Sequence, residues 1–185
     1  MEFVETAVSG VYLVEQKRHE DERGFFTRTW CAEEFHAKGL ADGLRQCSMS
    51  YNRHRGTLRG LHYQTGASAE DKLIHCIGGA LFDVALDLRP GSATYGQSAS
   101  VELTKDNGRM IYIPRGVAHG FLTLANDTCV TYFISEDYNE AAQDGLRHDD
   151  PAFAISWPIP ITVISERDRN WPDFLRRMAK KVEES

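Results

Sequence analysis

The chain holds no apolar run near the ~20 residues that a membrane-spanning helix needs. Its first residues, Met1-Glu2-Phe3-Val4-Glu5, form neither a basic n-region nor an apolar h-region. No membrane and no secretory leader are therefore expected, and a cytoplasmic location is. Cysteine is scarce: four residues, at positions 31, 47, 76 and 129, with no C-x-x-C pair. That spacing excludes a zinc ribbon or a dithiol redox motif and fits small core hydrophobes in a reducing compartment. An excess of positive charge is also missing. A net charge of −6 argues against a general nucleic-acid or anionic-membrane binder, because phosphate surfaces demand a basic face. No G-x-G-x-x-G, P-loop or G-x-S-x-G occurs, which removes dinucleotide, nucleoside-triphosphate and serine-hydrolase readings.

What is present suits one domain spanning 1–185, with a core over about 5–174 and a tail or short helix at 175–185. Val8–Val14 reads as a first strand. Cys31–Leu40 reads as a helix, with Glu33 and Glu34 near its start and Gly39 placed to stop it. Leu73–Leu88 reads as two strands joined at Gly78-Gly79, a hairpin signal. Further strands are expected at 97–103, 109–113, 120–124 and 128–134. Short strands spaced roughly 8–12 residues apart point to an all-β antiparallel sandwich or jelly-roll barrel. Beyond Asp149, segments around Pro151, Pro158, Pro160 and Pro172 are expected to wrap back over the core, with a charged helix over Asp173–Val182.

The stretch Gly56-Thr-Leu-Arg-Gly-Leu-His-Tyr-Gln64 gathers a guanidinium, an imidazole and an amide in one strand-like run. With period two, His62 and Gln64 share a face with Gly60, and Arg59 points the other way unless a bulge at Gly60 re-aims it. A single histidine on a strand is ordinarily a hydrogen-bonded core residue. Here the downstream chain offers partners that a barrel could converge: Lys72, His75, Asp83, Arg115, His119, Tyr132, Tyr138 and Asp168. His62, His75 and His119 could supply three imidazoles to a metal, but none of them lies at H-x-H or H-x-x-x-H spacing.

The segment Pro114-Arg-Gly-Val-Ala-His-Gly-Phe121 completes a pattern. It joins Asp21-Glu-Arg-Gly-Phe-Phe26, Leu58-Arg-Gly-Leu-His-Tyr-Gln64, Lys72-Leu73, Phe82-Asp-Val84, Asp149-Asp-Pro151 and Ser165-Glu-Arg-Asp168. In this order the chain resembles the dTDP-4-dehydrorhamnose 3,5-epimerase (RmlC) family of the cupin superfamily over about residues 5–174. The resemblance implies a cupin-type jelly roll with a few short peripheral helices, dimeric and free of metal or other cofactor. It implies proton transfer at C3 and C5 of a nucleotide-diphosphate 4-keto-6-deoxyhexose.

Carried over by position, the resemblance makes His62 the base, Asp168 its partner, Tyr132 the acid and Lys72 the cation near the keto oxygen. Arg59 stands beside the base, His119 is a second pocket histidine, and Tyr138 and Arg167 fall in substrate-binding positions. Arg23 and Phe26 match nucleotide-contacting positions, Arg23 reaching into the other subunit's site. The residues agree with this chemistry. A neutral imidazole is a usable base near neutral pH, and a carboxylate orients it. Epimerisation also needs a proton delivered to the opposite face, which a phenol can supply.

The chain departs from the family's pattern at Arg28, at Cys47, Ser48 and Met49, and at Phe133. Arg28 is counted with the substrate-binding positions, and its donor-only guanidinium favours cytosine over thymine as base. A cytidine-linked sugar, an epimerase acting at C3 or C5 alone, a metal-dependent cupin isomerase or oxygenase, and a non-catalytic sugar-binding jelly roll are the alternatives.

Overall fold

A computed structural model describes residues 1–176. Two antiparallel sheets face each other. The first has the order β1 (Glu2–Glu5), β2 (Tyr12–Glu15), β10 (Met110–Ile113), β7 (Lys72–Gly78), β12 (Thr128–Ile134), β5 (Gln46–Asn52). The second runs β13 (Gln143–Gly145), β6 (Thr57–Gln64), β11 (Val117–Thr123), β8 (Ala80–Asp87), β9 (Ser98–Thr104). A short β14 (Val163–Ile164) adds to β6 in parallel. Between β2 and β5 come a small hairpin, β3 (His19–Asp21) with β4 (Gly24–Phe26), and the helix α1 (Ala32–Ala37). Sequence neighbours repeatedly fall in different sheets, which is the jelly-roll arrangement the strand spacing predicts.

Three apolar layers hold this together. Ile74, Cys76, Leu81, Leu103, Ile111, Phe121 and Val130 fill the space between the sheets. Phe35 of α1 covers Val14, Leu73, Met110 and Tyr112 on the outer face of the first sheet. The expected C-terminal wrap covers the second sheet, where Phe153, Ile155, Trp157 and Phe174 pack on Leu61, Val84, Leu86 and Ala118. Strand β8 is therefore buried on both faces, and its inward face carries Asp83 and Asp87 at 0% exposure.

The strand expected over 8–14 is interrupted. Thr6 N–H donates to the Val11 carbonyl, and Gly10 at φ +76° turns the chain, so β1 and β2 pair with each other across Ser9-Gly10. The Gly78-Gly79 hairpin also does not form, since β7 and β8 lie in opposite sheets. Gly79 (φ +71°) passes the chain from one sheet to the other, with Thr128 so close that a Cβ there would stand 2.6 Å from its Oγ1. The helix expected at 31–40 is shorter; Cys31 is its N-cap, and Gly39 at φ +75° follows it. Most of the charged helix expected over Asp173–Val182 lies outside the described residues.

Candidate active site

Gly60 organises the site. It sits at φ +119°, and a Cβ there would fall 2.5 Å from the Gly120 Cα on β11. The β6–β11 register shifts at this point, so Arg59 and His62, three apart, both reach one cavity. The bulge that an Arg59–His62 pairing required is thus present.

The cavity, about 690 Å³, lies between the sheets, a volume in the range of small-molecule sites. His62, on β6, bonds through Nε2 to Asp168 Oδ1 at 2.6 Å. Asp168 belongs to the single-turn helix α2 (Glu166–Arg169), whose N-cap Ser165 accepts from the Asp168 N–H. Its other oxygen accepts from the Gly60 N–H. Burial alone pushes this carboxyl up, but the bond and charge of His62, with Gly60 and Ser165, outweigh it and hold the group below the usual carboxylate range. The carboxylate can only accept, so Nε2 carries the proton and Nδ1 the lone pair of the neutral ring.

Tyr132 stands across the cavity on β12, in the facing sheet. Burial pushes its phenol up to about 12, so it is protonated at neutral pH. Its hydroxyl lies 3.4 Å from Ser50 Oγ. Beside it His119, the direct partner of His62 in the β6–β11 ladder, bonds to the buried Asp83 at 2.9 Å. Lys72 donates to the His62 carbonyl at 3.3 Å and pairs with the buried Glu70 at 2.8 Å. Arg59 donates to Asn52 at 2.7 Å, and Arg167 lies over the Trp171 ring at 5.3 Å. Tyr138, half exposed at the rim, donates to Gln143 at 2.7 Å.

Eight of the expected residues therefore line one space: His62, Tyr132, Asp168, Lys72, Arg59, His119, Tyr138 and Arg167. Three do not. Arg23 and Phe26 sit on the exposed β3–β4 hairpin, where Arg23 bonds Asp21, and Arg28 pairs with Glu34 at 3.7 Å on the surface. Arg115, weighed as a pocket cation, instead grips Asp71 at 2.7 Å outside the cavity. His75 is not in the lining either, and among the described residues no group of three or more His, Cys, Asp or Glu side chains is arranged to hold a metal.

Ser48 and Met49, where the chain departs from the family's pattern, line the cavity with the neighbouring Gln46, and sequence reasoning missed Ser50 on the same strand, together with Glu70 and Gln143. Strand β5 lacks apolar alternation because one face lines a polar cavity and the other is an exposed edge. Its period-two polar residues, Gln46, Ser48, Ser50 and Asn52, are the signal in the residues themselves that could have found Ser50.

A jelly roll whose two sheets enclose a cavity holding a carboxylate-bound imidazole opposite a buried phenol places the protein among the cupin-type folds with a small-molecule-sized site. Residues 5–176 match the family described as dTDP-4-dehydrorhamnose 3,5-epimerase, and the chain belongs to that family of epimerases. A Sinorhizobium fredii protein named dTDP-4-dehydrorhamnose 3,5-epimerase is 42% identical over 176 residues, 94% of this chain and 90% of the relative. The Legionella pneumophila epimerase RmlC in complex with dTDP-4-keto-L-rhamnose is similar at a TM-score of 0.85 and 35% identity, covering 90% of this chain and 89% of that one. ChmJ from Streptomyces bikiniensis, a 3'-monoepimerase in complex with dTDP-quinovose, is similar at 0.86 and 30%, covering 94% and 89%. No helix among the described residues is long and apolar enough to cross a membrane.

Proposed function

We propose that this epimerase acts on a dTDP-linked 4-keto-6-deoxyglucose at both C3 and C5, His62 removing each proton and Tyr132 returning one to the opposite face. The carrying observation is that the two groups project from facing sheets into one cavity. Hydrogens beside a ketone become acidic as the enolate is stabilised. Lys72 is the cation for that oxyanion, a kind of interaction typically worth ~3 kcal/mol. The His62–Asp168 pair holds the base in one tautomer and stabilises the imidazolium that forms. Arg59 and Arg167 are the cations available to a diphosphate in the cavity.

The β3–β4 hairpin carries Phe25 and Phe26 at 54% and 71% exposure, outside the lining of the chain's own cavity. Such a pair on an extended hairpin supports a homodimer in which Arg23 and Phe26 complete the other subunit's site. The reading includes a cytoplasmic enzyme without metal or cofactor. Arg28, tied to Glu34 away from the cavity, lends no support within one protomer to a cytidine nucleotide.

Incubation in D₂O with the thymidine- and cytidine-linked 4-keto sugars, followed by NMR and mass analysis, tests the proposal. Deuterium at both carbons of the thymidine compound is expected. Similarity to ChmJ gives one competing reading substance, and label at a single carbon would establish it. Exchange with the cytidine compound alone would overturn the nucleotide assignment.

A further inference from the structure

Asn52 is 2% exposed and does not line the cavity, yet it touches two residues that do. On one side Arg59 Nε donates to its Oδ1 at 2.7 Å. A guanidinium has no acceptor, so the amide oxygen must face Arg59 and the NH₂ must face away. That NH₂ donates to the Thr128 carbonyl at 3.1 Å and to Ser50 Oγ at 3.3 Å. The Thr128 carbonyl, acceptor only, fixes the same orientation independently. Ser50 Oγ then accepts from Asn52 through one lone pair, which leaves its own hydrogen free to donate to Tyr132 Oη at 3.4 Å, a contact in which either hydroxyl can be the donor. Among the described residues no other hydrogen bond is made by either hydroxyl.

We propose that Asn52 is a positioning residue that sets the direction of this chain, so that Tyr132 accepts from Ser50 and aims its own proton into the cavity. Strand geometry brings the parts together. Ser48, Ser50 and Asn52 share one face of β5 with Thr128, Val130 and Tyr132 on β12, in the register Asn52–Thr128 and Ser50–Val130. The donor-only cation at one end fixes the Asn52 amide, and the amide in turn biases Ser50 toward donating to the phenol at the other.

This inference rests on the reading of Tyr132 as the acid. In the step concerned, the enolate's electron pair forms the new C–H bond with the phenolic hydrogen. The O–H bond breaks with its pair left on Oη, and solvent later returns the proton. Ser50 O–H, already aimed at Oη, stabilises the phenolate as it forms. Without that direction His62 can still exchange the substrate hydrogen and return it to the face it left.

The experiment measures, in D₂O with the thymidine-linked 4-keto sugar, deuterium entering unconverted substrate against inverted product. Tyr132→Phe sets the limit, with exchange retained and inversion lost. Asn52→Asp keeps an acceptor for Arg59 but has no NH₂, so Ser50 turns its proton toward the carboxylate and Tyr132 donates to Ser50. The exchange-to-inversion ratio is expected to rise at least roughly tenfold, with KM within about threefold of the unmodified protein. Ser50→Ala should lower inversion by roughly tenfold or more, and Ser50→Thr, which keeps the hydroxyl, should restore it. Should Asn52→Asp not fold, the Ser50 pair carries the test alone. An unchanged ratio in folded Asn52→Asp and Ser50→Ala, beside a Tyr132→Phe that does lose inversion, overturns the relay while leaving the acid in place. Full inversion by Tyr132→Phe overturns both, and so separates the two failures.

Discussion

His62 and His119 are direct partners across the β6–β11 ladder, and each holds its own carboxylate, Asp168 at 2.6 Å and Asp83 at 2.9 Å. Their surroundings separate them. The His62 side chain keeps 30% of its surface open and offers an Nδ1 that is unbonded among the described residues, whereas His119 and Asp83 are closed in at 6% and 0%. His62→Asn should lower turnover by roughly 10²–10⁴-fold, the usual worth of a positioned base, with little loss of stability. His119→Ala should cost stability instead, on the order of 3 kcal/mol, because it strands a buried carboxylate. Turnover assays beside denaturant melts of both variants check the contrast, and near-normal turnover by folded His62→Asn would sink the base assignment.

Asp168→Asn should match the loss seen on replacing His62 rather than add to it. An amide at that position can present its NH₂ to Nε2 and select the wrong tautomer, leaving the proton on Nδ1 where the base is needed. The double variant is the measurement: additive losses in kcat/KM would show that the two residues do not act as a unit.

Asp87 should contribute to acid stability. It accepts from Arg89, Ser92 and Thr94, and these bonds outweigh burial and hold its carboxyl far below the usual range. In the window between the folded and unfolded values the unfolded chain binds the extra proton, so stability rises with pH there. The contribution is complete above the unfolded value near ~3.9 and is lost as pH falls toward the folded one. Asp87→Ala should cost roughly 2–4 kcal/mol at neutral pH and flatten the acid limb of the stability curve. Melts between pH 7 and pH 2 distinguish this from a pH-independent loss.

Gly60→Ala should be severe. The backbone there is at φ +119°, outside the region a side chain readily adopts, and the added carbon meets Gly120 backbone rather than a movable side chain. A loss of at least about 2 kcal/mol is expected, with activity falling further because the bulge re-aims Arg59 and His62. A melting temperature within a degree or two of the parent would refute the role given to the bulge.

Mixed dimers test the shared site. If Arg23 serves the other subunit, Arg23→Ala and His62→Asn protomers, each weakly active alone, should on mixing form one site with both residues intact. Activity recovering toward about a quarter of the parent value is the expected outcome for random pairing. No recovery, with dimers present by sedimentation, would place Arg23 in its own subunit's site or in none.

Much was decided by the sequence alone. Alternation in 82–88 and in 128–134 marks strands because the two faces of each strand meet different surroundings, and Gly39 marks a helix end because few other residues tolerate φ +75°. Ordered motifs around His62, His119 and Ser165–Asp168 pointed to the family that matches residues 5–176. The tertiary structure decided what depended on distant partners. Asp168 meets His62 across 106 residues of chain, and Arg115 is drawn to Asp71 and away from the cavity. Gly78-Gly79 joins two sheets rather than one hairpin, because a turn's local chemistry does not say with which strand each arm pairs. Ser50, Asn52 and Glu70 look in sequence like surface polar residues. They come to line or adjoin the cavity only because the second sheet closes over them, and burial then draws Asn52 onto Arg59 and Ser50 and Glu70 onto Lys72.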